Sequence, residues 1–197
     1  LGIETLEEDS LVECGKLQNK NRDLISCVKK IQRKGIEVQG GFIVGFDHDK
    51  PSIFEKQIKF IQKSGIISAM VGLLGVVRGT KLYHRLKKEG RLLEGGSGDN
   101  TDCSINFIPK MNHELLVNGY KKIIKTIYSP KYYYQRVISF LKEYRPRKKK
   151  VYFRFYYLRA FLKSVWILGI KEKERTYYWK LILWTLTRQP RFFPLAI

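Results

Sequence analysis

At 197 residues, 44% of them hydrophobic, the chain can bury one ordinary core with a small appendage. Thirty-eight Lys and Arg against eighteen Asp and Glu give a formal net charge of +20. The three cysteines, Cys14, Cys27 and Cys103, are scattered without a CxxC pair, which argues against a secreted disulfide framework and for a reducing cytoplasm. The longest uncharged run, Gly65 to Val77, falls short of the roughly 18 to 20 apolar residues a membrane span needs and reads as a buried strand. The opening "LGIETLEEDS" has neither an initiating Met nor a basic-then-apolar leader, and reads as the middle of a protein.

In chain order, "LGIET" reads as the end of an apolar strand. "NRDLISCVKKIQRKG" follows as a helix with Asn21 at its N-cap, Leu24, Val28 and Ile31 on one stripe, and Gly35 past its end. "IEVQGGFIVG" is a β-branched, hydrophobic strand. "PSIFEKQIKFIQKSG" places Pro51 in a first helical turn and Ile53, Phe54, Ile58 and Ile61 inward, with Gly65 as the stop. "ISAMVGLLGV" is another near-continuous apolar strand, and "TKLYHRLKKEG" a short helix closed by Gly90. Apolar strands alternating with amphipathic helices predict a parallel sheet with helices on its outer face, in an α/β barrel or open sheet.

Beyond Gly90 the pattern changes. "EGGSGDN" reads as a loop, "CSINFIPKM" as an edge strand, and residues 113–144 as two helices broken at Ser129-Pro130. From Arg145 onward fourteen Lys and Arg face two Glu, so the tail carries most of the charge, and Pro146 within a cation run marks a boundary. The predicted divisions are residues 1–92, 93–144 and 145–197.

In a parallel sheet, ligands sit beyond the C-terminal ends of the strands, here around Gly45 and past Leu74. Gly40, Gly41 and Gly45 carry no Cβ, so a flat ligand has access to the backbone there, with Ile43 offering an apolar face. The same glycines also fit plain bulge and turn positions with no ligand.

The stretch "GGFIVGFDHD" resembles the G-x-I-x-G-x-x-E region on the fifth strand of radical S-adenosylmethionine (SAM) enzymes, with Gly41, Ile43 and Gly45 in the matching places. "LGIET" resembles the end of that fold's fourth strand, and "LLGVVRGTKLY" the segment after its sixth. With "KLQNKNRD", "FIQKSGI" and "YSPKYYYQRV" in order, the chain is similar to the C-terminal part of cobalamin-binding radical SAM proteins of the hopanoid-methylase group, including their C-terminal domain of uncharacterised function. Two departures stand out: Arg78 replaces a proline, and His48 or Asp49 stands where the motif has Glu.

The resemblance implies an α/β fold, a partial (β/α) radical SAM barrel over residues 1–92, a helical extension, and a basic, aromatic, mostly helical C-terminal domain. It implies S-adenosylmethionine, a [4Fe-4S] cluster and cobalamin for the full-length protein. Glu4 and Thr5 would hold the ribose or methionine moiety, Ile43 would pack on adenine, Gly41 and Gly45 would admit it, and Leu73 and Leu74 would present backbone to its edge. An alternative for Glu4 is a helix-cap acid in "ETLEE". The family's C-x-x-x-C-x-x-C loop and its cobalamin domain are not in this sequence, so cluster and cobalamin sites are expected in a missing N-terminal portion, and the fragment alone is expected to be inactive. The expected activity is methylation or another modification of a hydrophobic small-molecule or lipid substrate. His84 and His113 have no partner at metal-ligand spacing, and no metal site is predicted.

Trp, Tyr and Phe interleave with Arg and Lys in "VYFRFYYLRAFLKSVWILGI" and "RTYYWKLILWTLTRQPRFF". Such segments suit an anionic membrane surface, ordinary helical packing or, least well, a nucleic-acid strand. The competing functional class is therefore a non-catalytic basic module on a membrane or polyanion, and the predicted location is cytoplasmic with membrane association.

Overall fold

The computed structural model describes residues 1–93, 103–146 and 155–196. Three short strands, β1 (Gly2–Glu4), β2 (Gly40–Val44) and β3 (Ala69–Leu73), form a parallel sheet in the order β1-β2-β3. The helix α2 (Leu24–Arg33) connects the first pair and α3 (Ser52–Ser64) the second, while α1 (Glu8–Glu13) and a short 3-10 turn precede α2. Alternation decides the two faces of the sheet. Phe42, Val44 and Val71 are buried, whereas their neighbours Gly41, Ile43, Met70 and Gly72 lie on the more open side.

On the buried side Ile53, Ile58 and Ile61 of α3 and Val28 of α2 complete the core, and Phe60 meets Phe42 edge-on at 5.9 Å. Fully burying such a side chain contributes about 1.5–3 kcal/mol, so the apolar stripes of these helices decide where they pack. Gln32 is buried among them and donates to the carbonyls of Ser64 and Gly65, both at 3.2 Å, stitching α2 to the end of α3. Gly65, at φ +71°, is the left-handed stop read from the sequence.

The helix α4 (Lys81–Lys88) is capped by Thr80, whose hydroxyl accepts from the Tyr83 amide. α5 (His113–Ile127) joins the same core through Leu116, Ile123 and Ile127, and Gly119 leaves the room that the Phe54 ring fills. α6 (Pro130–Glu143) starts at the predicted Ser129-Pro130 break. It lies against α3 and against α8 (Arg175–Arg188), where Val137, Phe140, Leu141, Leu181 and Phe192 form a second apolar cluster. α7 (Phe155–Ser164) runs into a π-helical stretch, Val165–Lys171, ahead of α8, and α9 (Phe193–Ala196) closes the described chain. Among the described residues the tail from Phe155 to Ala196 is mostly helical, as the sequence reading expected.

Two local readings need correction. Asp23, not Asn21, caps α2, its carboxylate accepting from the Ser26 amide at 3.1 Å. Asn21 stands before it in a left-handed turn, φ +52°, which Asn tolerates better than most residues. Among the described residues the predicted edge strand "CSINFIPKM" makes a single antiparallel bridge, Leu92 to Phe107, apart from the main sheet. The Asn106 side chain turns instead to the backbone of Val76, and Pro109 has no amide to continue a ladder. The predicted loop over residues 94–100 and the cation run at 147–150 lie outside the described residues.

Candidate functional site

A cavity of about 840 Å³ lies on the open side of the sheet. Its floor is Gly41 and Ile43 of β2 with Met70 and Gly72 of β3, and Gly75, Val76 and Val77 extend that wall beyond β3. Tyr120 and Ile124 of α5 and Tyr128 at its C-terminal cap, a row at every fourth residue, form another wall, and Ser104 and Asn106 also line the cavity. A Cβ added to Gly41 would meet nothing nearer than the Leu1 carbonyl at 3.9 Å, so this position opens directly on the cavity.

Glu4 supplies a carboxylate at the β1 side. The ladder slips between Gly2 and Glu4, and Glu4 sits at φ +65°, a strained conformation for a residue with a side chain. The amide of Asn19 holds this kink, donating to the carbonyls of Gly2 and Ile3 at 3.1 and 3.3 Å. The Glu4 carboxylate folds back over Gly2, where any Cβ would collide with it, and pairs with Lys16 at 2.9 Å. The helix-cap alternative finds no support, since α1 begins at Glu8 after Glu7.

Four residues singled out from the sequence therefore line the cavity: Glu4, Gly41, Ile43 and Leu73. Thr5, Gly45 and Leu74 do not. Thr5 is fully buried and its hydroxyl accepts from the Glu7 amide at 3.2 Å. It borders a smaller pocket of about 330 Å³ with Asn19, Asn21 and Arg22. The Leu74 amide is used in the ladder, donating to the Val44 carbonyl at 2.8 Å. Gly45 adopts φ +111° at the turn out of β2, against Leu116 of α5.

The turn after β2 is fixed by its acids. Asp49 is buried and accepts from the amides of Gly45 and Phe46, at 2.9 and 3.2 Å, and from the Ser10 hydroxyl at 2.9 Å. Burial pushes its carboxyl above the ordinary value, more than these bonds lower it. Asp47 is held by Arg91 through contacts of 2.7 and 2.9 Å and by Arg85 at 3.1 Å. Burial acts to raise the Asp47 carboxyl, yet Arg91, Lys110 and Arg85 together bring it below the usual carboxylate value. Glu13 of α1 closes the network, bonded to Arg85 and lying 3.1 Å from the His48 ring. Neither His48 nor Asp49, the two stand-ins for the motif's Glu, lines the cavity.

The sequence reading missed the α5 wall and this ion network. The wall was legible as the row Tyr120, Ile124, Tyr128, whereas the network joins residues as far apart as Glu13 and Arg85, which no local spacing reveals. Among the described residues no group of three or more His, Cys, Asp or Glu is placed to hold a metal. Cys14, Cys27 and Cys103 are separate free thiols, and burial raises the Cys14 thiol.

Residues 80–197 match the family described as Domain of unknown function (DUF4070). The chain is 32% identical over 197 residues to "Uncharacterized methyltransferase sll1242" of Synechocystis sp., covering 98% of this chain and 37% of that protein. It is 28% identical over 196 residues to the "Hopanoid C-2 methylase" of Rhodopseudomonas palustris, covering 95% of this chain and 36% of the relative. To the "Bacteriochlorophyllide d C-12(1)-methyltransferase" of Chlorobaculum tepidum it is 27% identical over 129 residues, 65% of this chain and 28% of the relative. The chain thus spans about a third of the length of the curated relatives it matches. No solved structure matches it significantly. With more than half its length inside the family's domain, the chain belongs to the DUF4070 family, within the hopanoid-methylase-like group of cobalamin-binding radical SAM proteins.

Proposed function

We infer that this chain supplies one wall of a partial radical SAM barrel, and the adjoining C-terminal domain, to a cobalamin-dependent methyltransferase acting on a hydrophobic substrate. The observation that carries the reading is the glycine-floored cavity on a parallel sheet, with an acid at one rim and an aromatic row on another wall. Gly41 and Gly72 leave the backbone open to a flat ring, and Ile43 offers a branched side chain for it to lie on. Glu4, held by Lys16, is an acceptor for hydroxyl or ammonium donors. Met70, Val76, Val77 and Ile124 make much of the remaining lining apolar, which suits a hydrophobic substrate.

These residues fit the adenosyl part of S-adenosylmethionine, which when bound supplies the methyl group or the adenosyl fragment of such chemistry. They do not fit the [4Fe-4S] cluster, for which three converging thiolates would be needed. Cluster and cobalamin are accordingly assigned to the rest of the polypeptide. The names of the relatives support methyl transfer as the reaction class.

The test is saturation-transfer NMR of the chain with adenosine and with S-adenosylmethionine. Signal on the adenine protons is expected for the native chain, and its loss in Gly41→Val, whose side chain enters the cavity away from the core. Equal signal in both proteins, or none in the native chain, overturns the reading.

A further inference from the structure

The rod formed by α7 and the π-helical stretch carries a row of apolar side chains that its own fold leaves uncovered. Leu158, Leu162, Trp166 and Ile170 are 41%, 59%, 54% and 48% exposed, and Ile167 beside them is exposed as well. In an α-helix, with about 3.6 residues per turn, a row of every fourth residue creeps round the axis. The i→i+5 bonding of the π stretch, seen in the Glu172 amide donating to the Ile167 carbonyl, winds more widely and turns that creep back. The row therefore keeps to one side.

The rod's inner side is already occupied. Phe161 meets Phe193 edge-on at 5.5 Å, the Ser164 and Tyr178 hydroxyls lie 2.9 Å apart, and Gly169 lets Tyr178 and Trp179 close in. The indole N–H of Trp179 donates to the Gly169 carbonyl at 3.0 Å, locking rod to α8. The outward row is thus a fixed feature of the packed tail.

Charge selects the occupant. Between Phe155 and Lys171 the sequence holds Arg159, Lys163 and Lys171 and no acid. Arg159 and Lys163 each follow a leucine of the row, and Lys171 lies 5.5 Å over the Trp166 ring. The residues from Arg145 onward hold fourteen cations against two Glu. We propose that this rod is a membrane-surface anchor, seating its apolar row among acyl chains while its cations meet anionic headgroups. Long cationic stems reach upward from such a position while their apolar parts stay buried. The row is mostly aliphatic, which favours acyl chains over a nucleic-acid strand, whose bases stack on planar rings. Among the described residues no helix is long and apolar enough to cross a membrane, so the attachment is peripheral.

Flotation of the chain with phosphatidylglycerol-containing vesicles tests this, against phosphatidylcholine vesicles alone. Binding is expected to be at least about tenfold stronger on the anionic vesicles, and to weaken with added salt. Leu162→Asp and Arg159→Glu should each reduce it at least about tenfold, whereas Leu17→Asp, at an exposed position in the 3-10 turn, should not change it. Circular dichroism establishes that the variants stay folded. Undiminished flotation of Leu162→Asp overturns the proposal. A gel shift on single-stranded RNA without flotation overturns it in favour of a polyanion site. Dimerisation that Leu162→Asp abolishes, without flotation, assigns the row to a second copy of the chain. Flotation reads no methyl transfer and no adenosyl binding, so its failure leaves the proposed activity standing, and the converse holds.

Discussion

The Tyr128 hydroxyl donates to the Ala69 carbonyl at 2.9 Å, so the residue capping the C-terminal end of α5 takes the outer edge of β3. The Gly40 amide bonds to Ser68, one residue earlier, on the opposite side of the strand. The Ala69 carbonyl therefore points away from β2, where a further strand would otherwise be needed. Tyr128 also lines the cavity, which makes edge protection and site wall one device. Removing its hydroxyl in Tyr128→Phe keeps the ring and the Arg136 guanidinium stacked 5.7 Å from it. A loss of about 1 kcal/mol in urea unfolding is expected, with unchanged m-value.

Gly119 is the point at which α5 admits the Phe54 ring of α3. Gly119→Ala gains helix propensity of up to about 1 kcal/mol, but its methyl group enters space the ring already fills. Overpacking of a close-packed core costs about 1–3 kcal/mol, so net destabilisation is expected. Thermal unfolding of Gly119→Ala, alone and with Phe54→Leu, checks this. The second substitution should recover part of the loss, and an unshifted melting temperature in the single variant contradicts the contact.

The Asp47 carboxyl is held below its ordinary value, by Arg91 foremost among the cations, and that of Glu143 is lowered by Arg33 and Lys29 against an opposing effect of burial. A carboxyl with a depressed folded value binds fewer protons folded than unfolded. Its contribution is therefore present above the unfolded value of about 4 and lost as pH falls through the folded one. Stability of the native chain should fall with pH below about 4, and Asp47→Asn should flatten that limb while lowering stability at neutral pH. Denaturant titrations across pH 2 to 7 read both effects.

Asp49 behaves in the opposite sense, because burial raises its carboxyl. Its stabilising effect is strongest in acid and diminishes as pH rises through the ordinary carboxylate value toward the raised one. Asp49→Asn can still accept from the Gly45 and Phe46 amides and donate to the Ser10 hydroxyl, so near-native stability with less pH dependence is expected. Asp49→Ala strands buried donors and should cost about 1–3 kcal/mol. Equal stability of the two variants would show that the turn is not held by this side chain.

Much of the α/β half could be read locally. Ile53, Phe54, Ile58 and Ile61 face inward on α3 as their spacing demands, and Gly65 ends the helix where a left-handed residue is needed. Glu4, Gly41 and Ile43 reach the cavity because strand alternation and the turn after β1 are short-range features. Thr5 is drawn into a local hydrogen bond with the Glu7 amide, and Leu74 into the ladder with Val44, and a motif comparison foresees neither. Asn106 was invisible for a different reason. Its amide pairs with Val76, thirty residues away, in the manner of a strand, so its role exists only once both segments are placed.

Arg136 is fully buried, with ring faces of Tyr128 and Tyr133 at 5.7 and 5.6 Å and hydrogen bonds to the Gln62 side chain and the carbonyls of Ile127 and Ile67. One guanidinium thus spans α3, the end of α5, the approach to β3 and its own helix. Solvating that cation during unfolding requires all four to separate together. Sheet and helices on either side of the Ser129-Pro130 break are consequently expected to melt as a single cooperative body.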